Sequence, residues 1–255
     1  MKARLVVIFA AYMIGPALAV HAHDHVQIAR QNTPAVVTVN ILKEDGSTHT
    51  ATGFVLTEDG IVATNRHSIK EALFLNLTFN NGVTSAQATP IAQSDLVDLA
   101  LLKVQAQHLP HVTLGNSSTV EPGQTITVIG NPRRLQNTVT SGLISQLRKH
   151  PNGTLWFQIS APLSPSSSGS PVFDEHGHVI AVAFGSLAGE ENQNLNFAIP
   201  VHYLTQLLAE QHVPLPQISP TPDTENFLIR HVKQSWQILK QLLRQWFSHS
   251  AKDEL

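Results

Sequence analysis

Three short segments carry residue types that could do covalent chemistry together. Ser166-Ser167-Ser168-Gly169-Ser170-Pro171 is a serine- and glycine-rich turn just ahead of an apolar stretch. Such a turn can hold a nucleophilic hydroxyl against backbone N–H groups. Thr64-Asn65-Arg66-His67 ends an apolar run and offers an imidazole. Asp98 stands at the head of the apolar run Leu99-Ala100-Leu101, where a carboxylate would be partly buried. Serine is a weak nucleophile until a base takes its proton. The base works best when a carboxylate fixes its tautomer and stabilises the imidazolium. The chain order His, Asp, Ser is one in which such a triad occurs. Taken singly, each segment has a plainer reading: a surface histidine, a strand-start cap and a flexible serine loop. Their order and their setting among strands favour reading them together.

The elements that must position these groups read as short strands. Between Ile28 and about Ile199 the runs AVVTVNI (35–41), ATGFVLT (51–57), LALLKV (99–104), TITVIG (125–130) and HVIAVAFG (178–185) are rich in β-branched residues. Gly, Asn, Asp or Pro punctuate them at short intervals, as in an all-β barrel or sandwich. Glu58-Asp59-Gly60 and Asp174-Glu175-His176-Gly177 read as hairpin turns. VHYLTQLLAEQ (201–211) reads as a short amphipathic helix.

Composition narrows the chemistry. Hydrophobic residues are 42% of the 255 and charged residues 13%, so the chain can bury a core and is not disordered throughout. Sixteen Lys and Arg against 18 Asp and Glu offer no basic field for nucleic acid. Cysteine is absent, which excludes disulfides, a thiol nucleophile and Cys-ligated zinc or iron–sulfur clusters.

Read together, these segments make the chain resemble the HtrA/Deg branch of the chymotrypsin-like serine proteases, from about Ile28 to Leu208. TGFVLTEDGIVATNRHSI (52–69) is similar to the family's glycine-turn strand pair and TNxH motif. DLALLKV (98–104) resembles its aspartate strand, and IGNPRRLQNTVTSGLIS (129–145) the opening of its second barrel. SPSSSGSPVFDEHGHVIAV (164–182) resembles the nucleophile loop, usually NPGNSGGP, and LNFAIP (195–200) the strand before the closing helix. The resemblance implies an all-β, chymotrypsin-like double β-barrel of two six-stranded units with the active site in the cleft between them. It implies His67 as general base, Asp98 as its orienter and Ser168 as nucleophile. The backbone N–H groups of Ser166 and Ser168 would form the oxyanion hole. Leu163 and the strand Ala183, Phe184, Gly185 would line the pocket for the side chain before the scissile bond. No acidic residue lies in 162–167, so small or medium aliphatic side chains are expected there. No cofactor and no metal are implied, and the partners would be polypeptide substrates.

Two departures bear on activity. Ser166 stands where the family has Gly, two residues before the nucleophile, and glycine adopts unusual φ far more cheaply. Ser170 also replaces Gly, at a position not expected to donate to an oxyanion. The expectation is a serine endopeptidase of unfolded or exposed polypeptides. The alternative is a catalytically weak relative that binds polypeptides as a holdase or adaptor.

The ends carry signals of their own. Lys2 and Arg4, the apolar run Leu5–Gly15, Pro16 and the small residues after it have the order of a secretory signal peptide. That run is shorter than the roughly 20 residues a spanning helix needs. Cleavage is expected after Ala22, with Ala19 the alternative. The protease domain would run over 23–212, a Pro-rich linker over 213–225 and a helical tail over 226–255. The family places PDZ domains after the protease, and 213–255 is too short for one. In 226–249, Leu228, Val232, Trp236, Leu239, Leu243 and Trp246 share one helical face flanked by Arg230, Lys233, Lys240 and Arg244. Such a face suits self-association or an interfacial membrane helix. The leader points to a periplasmic or secreted protein. Lys252-Asp253-Glu254-Leu255 keeps an ER lumen alternative open.

Overall fold

The computed structural model describes residues 25–80, 86–131, 137–186 and 195–213. The leader at 1–22, the linker beyond Val213 and the tail at 226–255 lie outside the described residues. The described chain opens with helix α1 (His25–Asn32) and a single tight turn of helix, Thr33–Ala35. Six strands follow: β1 (Val36–Lys43), β2 (Thr48–Val55), β3 (Ile61–Asn65), β4 (Ala72–Phe79), β5 (Ala86–Ser94) and β6 (Leu99–Val104). One turn of helix, α2 (Arg66–Ile69), stands between β3 and β4. The second half holds β7 (Thr125–Gly130), β8 (Thr138–Lys149), β9 (Leu155–Ile159), β10 (Pro171–Phe173), β11 (Val179–Ser186), β12 (Asn196–Pro200) and the closing helix α3 (Val201–Glu210). Each set of six closes into an antiparallel barrel, ordered β1-β2-β3-β6-β5-β4 and β10-β11-β12-β9-β8-β7. The double barrel is the architecture the resemblance implies.

Strand periodicity explains how two barrels become one body. Alternate residues of a strand face opposite sides. On β1, Val37, Val39 and Ile41 fill the first barrel, while Val36 faces the other way, into a cluster between the barrels. On β6, Ala100, Leu102 and Val104 face the first barrel, and Leu99 and Leu101 the shared cluster. A strand buried on both sides reads as an unbroken apolar run, which is why LALLKV shows no alternation. The second barrel is filled by residues such as Ile126, Val128, Ile144, Phe157 and Ile159. Ile129, Phe173, Val182 and Ile199 bring it to the shared cluster, which α3 closes with Val201, Leu204 and Leu208. The two predicted turns form between β2 and β3 and between β10 and β11, with Gly60 N donating to Thr57 O (3.1 Å) and Gly177 N to Asp174 O (3.1 Å).

The start of the domain differs from the sequence reading. Strands were expected from Ile28, yet Ile28 lies in α1 and the first strand begins at Val36. The helix is two turns long and buries only Ile28 among its apolar residues, so it has no period to read. Its stability comes from packing Ile28 into the cluster between the barrels.

Candidate active site

The register of β3 against β6 decides where the imidazole and the carboxylate meet. Asn65 pairs with Leu99, so the chain leaving β3 must run past Asp98 as it enters β6. Asp98 adopts φ +54, a left-handed conformation that Asp tolerates better than most residues. Its carbonyl accepts from Asn65 Nδ2 (3.0 Å) and from the amide of Arg66 (3.2 Å). Its carboxylate accepts from the amide of His67 at Oδ1 (2.8 Å) and from His67 Nδ1 at Oδ2 (2.6 Å). A carboxylate oxygen accepts, so this bond calls for a ring hydrogen on Nδ1 and turns Nε2 away from Asp98. The Asp98 side chain is 29% exposed and that of His67 48%, so the pair is shielded on the carboxylate side and open on the other.

The serine segment comes from the second barrel and is held by a different set of contacts. Gly169 N donates to Ala183 O (2.8 Å) and Ala183 N to Ser170 O (2.8 Å), which ties the loop to β11. Ser167 N donates to Ser164 O (2.9 Å) and Ser170 N to Ser167 O (3.0 Å), which closes two consecutive turns around Ser168. Gly169 lies at φ +87, where a Cβ would overlap the carbonyl oxygen of Thr52 and come within 2.6 Å of Thr64 Oγ1. No other residue fits that approach of the loop to the first barrel. The contact is completed by Thr52 N donating to Ser168 O (3.0 Å).

His67 and Ser168 line one cavity of about 210 Å³, together with Ser68, Thr50, Ser166 and Lys43. Ser168 Oγ donates to Phe184 O at 3.4 Å, the long end of hydrogen bonding, rather than to His67. The hydroxyl in hydrogen-bond contact with His67 Nε2 is that of Ser68, at 3.4 Å. Of the three expected side chains, the fold joins His67 to Asp98 by a short bond and places Ser168 on the same cavity as His67 without a hydrogen bond between them.

A model of the trypsin-like peptidase domain matches residues 51–182. The chain belongs to the trypsin-like peptidase family. Its relatives are HtrA/DegP proteases. The "Probable periplasmic serine endoprotease DegP-like" of Chlamydia trachomatis is 36% identical over 154 residues, 58% of this chain and 31% of that protein. Serine protease HTRA4 of Homo sapiens is 31% identical over 173 residues, 64% of this chain and 35% of that protein. The chain thus spans about a third of the length of the curated relatives it matches. Among solved structures, the serine endoprotease from Yersinia pestis matches with a TM-score of 0.65 at 28% identity, over 73% of this chain and 66% of that one. The HtrA-type protease AlgW, solved with a tripeptide, matches with a TM-score of 0.68 at 25% identity, over 73% of this chain and 62% of that one.

Within this peptidase domain, the residues expected at the pocket take different places. Phe184 packs edge-on against Trp156, ring centroids 4.7 Å apart, and near Phe197 at 6.1 Å. Gly185 passes so close that a Cβ there would stand 3.9 Å from Ser168 Oγ. The methyl of Ala183 is fully buried in the second barrel, so only its backbone faces the serine loop. Leu163 is half-buried against the second-barrel core, beside a small cavity of about 50 Å³ that Ser164, Ser167 and Ser170 also line. Ser170 Oγ is buried with no hydrogen-bond partner among the described residues.

Ser166, expected to suffer where glycine is usual, does stand at φ +75. A left-handed residue with a Cβ costs about 1–2 kcal/mol. Two contacts not foreseen from the sequence meet it. Thr52 Oγ1 donates to Ser166 O (2.9 Å) and accepts from the amide of Asn131 (3.0 Å). Thr50 Oγ1 and Ser166 Oγ lie 3.0 Å apart. The signal that could have found these threonines is their alternation: Thr48, Thr50 and Thr52 occupy one side of β2.

Proposed function

We propose that the chain is a serine endopeptidase that cleaves unfolded or exposed polypeptides through His67, Asp98 and Ser168. The observation that carries this reading is the 2.6 Å bond from His67 Nδ1 to Asp98 Oδ2, made in a cleft that Ser168 also lines. Ser168 Oγ leaves its weak bond to Phe184 O by rotation about χ1, a cheap change between staggered rotamers. It then gives its proton to His67 Nε2 and attacks the scissile carbonyl carbon. Asp98 stabilises the imidazolium that forms. The carbonyl oxygen becomes an oxyanion held by the N–H groups of Ser166 and Ser168; among the described residues neither amide is taken by a protein acceptor. His67 returns the proton to the leaving amine, which breaks the C–N bond and leaves an acyl group on Ser168. Water, activated by the same imidazole, releases it. The residue before the scissile bond is small or medium and aliphatic, seated by Leu163, Phe184 and Gly185.

The naming of DegP-like relatives as periplasmic supports a periplasmic or secreted site of action. The long Ser168–Phe184 bond and the left-handed Ser166 favour a second reading, a polypeptide-binding protein with weak catalysis. A fluorophosphonate probe separates the two. The endopeptidase labels on Ser168, and Ser168→Ala neither labels nor cleaves unfolded casein. A folded wild-type protein that binds casein yet takes no label is the binding protein.

A further inference from the structure

We propose that Thr50 is a positioning residue of the oxyanion hole, acting through a hydroxyl–hydroxyl bond to Ser166 that makes good the missing glycine. The proposal rests on the serine peptidase reading above and extends it to a residue on the opposite barrel.

The backbone at Ser166 has to be held, because φ +75 is a conformation that a serine leaves when nothing restrains it. Two groups of Ser166 are pinned, and both to one strand. Its carbonyl oxygen accepts from Thr52 Oγ1 at 2.9 Å, and its own hydroxyl meets Thr50 Oγ1 at 3.0 Å. Holding a carbonyl oxygen and a hydroxyl fixes the Cα from which the amide projects, and so fixes where its N–H stands. A glycine here needs only the first contact, since it enters left-handed φ without penalty. A serine needs the second as well, and supplies the hydroxyl that makes it.

The strand that does the holding is rigid and belongs to the other half of the site. Thr50 pairs with Asn40 and Thr52 with Thr38 in the β1–β2 ladder of the first barrel. Thr52 also receives the amide of Asn131, at the end of β7, and its carbonyl oxygen accepts from Thr64 Oγ1 at 2.7 Å. One oxyanion donor of the second barrel is thereby registered on the barrel that carries His67. Thr50 and Ser166 both line the cavity shared by His67 and Ser168, so their bond forms part of its wall.

The test is a mutational cycle read in kcat and KM for one peptide substrate, with the rate of fluorophosphonate labelling of Ser168 alongside. Thr50→Val keeps the shape and removes the hydroxyl. Losing an oxyanion donor outright costs about 10²–10³ in rate; one misplaced but still present costs less, about tenfold in kcat. KM should stay within about twofold, because the hole acts on the transition state rather than on bound substrate. Thr50→Ser should restore kcat. In a Ser166→Gly background the same Thr50→Val change should shrink to less than about twofold, since the hydroxyl it paired with is gone. If Thr50→Val does not fold, Ser166→Ala removes the same bond from the other side and must show the same kcat loss. An equal kcat loss in the Ser166 and glycine backgrounds, a change in KM in place of kcat, or no change at all overturns the proposal. A wild-type protein that takes no label at Ser168 overturns the peptidase reading and this one with it. A labelled wild type matched by an equally fast Thr50→Val overturns this one alone.

Discussion

The two halves of the site are built to different tolerances. On the first barrel, Asp98 is bracketed by four contacts from Asn65, Arg66 and His67, all set by one strand register. The amides of Arg66 and His67 are held on Asp98 by the β3–β6 ladder, and the imidazole by one further short bond to Oδ2. On the second barrel, Ser168 sits on a loop of small residues whose geometry is imposed from outside, by β11 on one side and the threonines of β2 on the other. Its hydroxyl rests on a 3.4 Å bond, and its neighbour Ser166 is left-handed. The base is fixed by pairing within its own barrel, whereas the nucleophile loop is fixed both by β11 of its own barrel and by β2 of the other. Changes within the first half should therefore act on chemistry with the fold intact, and changes in the second should act on both.

The largest effect tests the rigid half. Asp98→Asn keeps the shape but replaces an acceptor by an amide that can present its N–H to the imidazole, favouring the wrong tautomer. Peptide hydrolysis should drop on the order of 10⁴-fold, with the circular dichroism spectrum unchanged. A loss below tenfold would mean that Asp98 does not orient His67. The next tests the imposed half. Gly169→Ala adds a Cβ against the carbonyl of Thr52 at a left-handed φ. Strain and overlap together should cost about 3 kcal/mol in urea unfolding, and labelling of Ser168 should be lost in the remaining folded protein. Gly46→Ala, also at positive φ but with no atom within 4 Å of the new Cβ, is the control and should cost about 1 kcal/mol. Equal losses at the two positions would deny that the loop is seated on Thr52.

The smallest effect concerns acid stability on the second-barrel side. Burial pushes the His202 imidazole below its ordinary 6.5, while its Nδ1 lies 3.0 Å from Ser117 Oγ. The unfolded chain then binds this proton more readily than the folded one. Stability is full above pH 6.5 and declines as pH falls below it, toward the lower folded value. Asp174 acts further down. Burial opposes its ionisation, but the His178 ring at 3.6 Å and the amides of His178 and His176, each 2.9 Å from Oδ1, hold its carboxyl below 3.8. Its contribution is present above pH 3.8 and is lost as pH falls through the folded value. Thermal melts should therefore weaken first between pH 7 and 5, and His202→Asn should flatten that first decline. An unchanged decline in His202→Asn would assign it to another of the 14 histidines.

How much of this was legible follows from the range of each interaction. Strand existence and the two hairpin turns depend on side-chain period and local turn chemistry, so 125–130 and 99–104 read directly as β7 and β6. His67 and Asp98 were named from residue type, chain order and the family resemblance, whereas their meeting depends on the register of β3 against β6, two strands separated in the chain by β4 and β5. Helix α1 was not legible, since eight residues with one buried apolar side chain carry no period and are ordered by tertiary contacts, Ile28 in the cluster between the barrels and His25 Nδ1 2.7 Å from Thr127 Oγ1. The need for a left-handed residue at Ser166 was visible in the sequence as a serine where glycine is usual. What answers that need was not. Thr50 and Ser166 are 116 residues apart, and only closure and packing of both barrels bring their hydroxyls to 3.0 Å. Residue type and local period determined the strands, the turns and the chemistry available. Which threonine holds which loop, and where the serine hydroxyl points, was decided by tertiary structure, because a hydrogen bond depends on position to within a few tenths of an ångström and no local pattern encodes that.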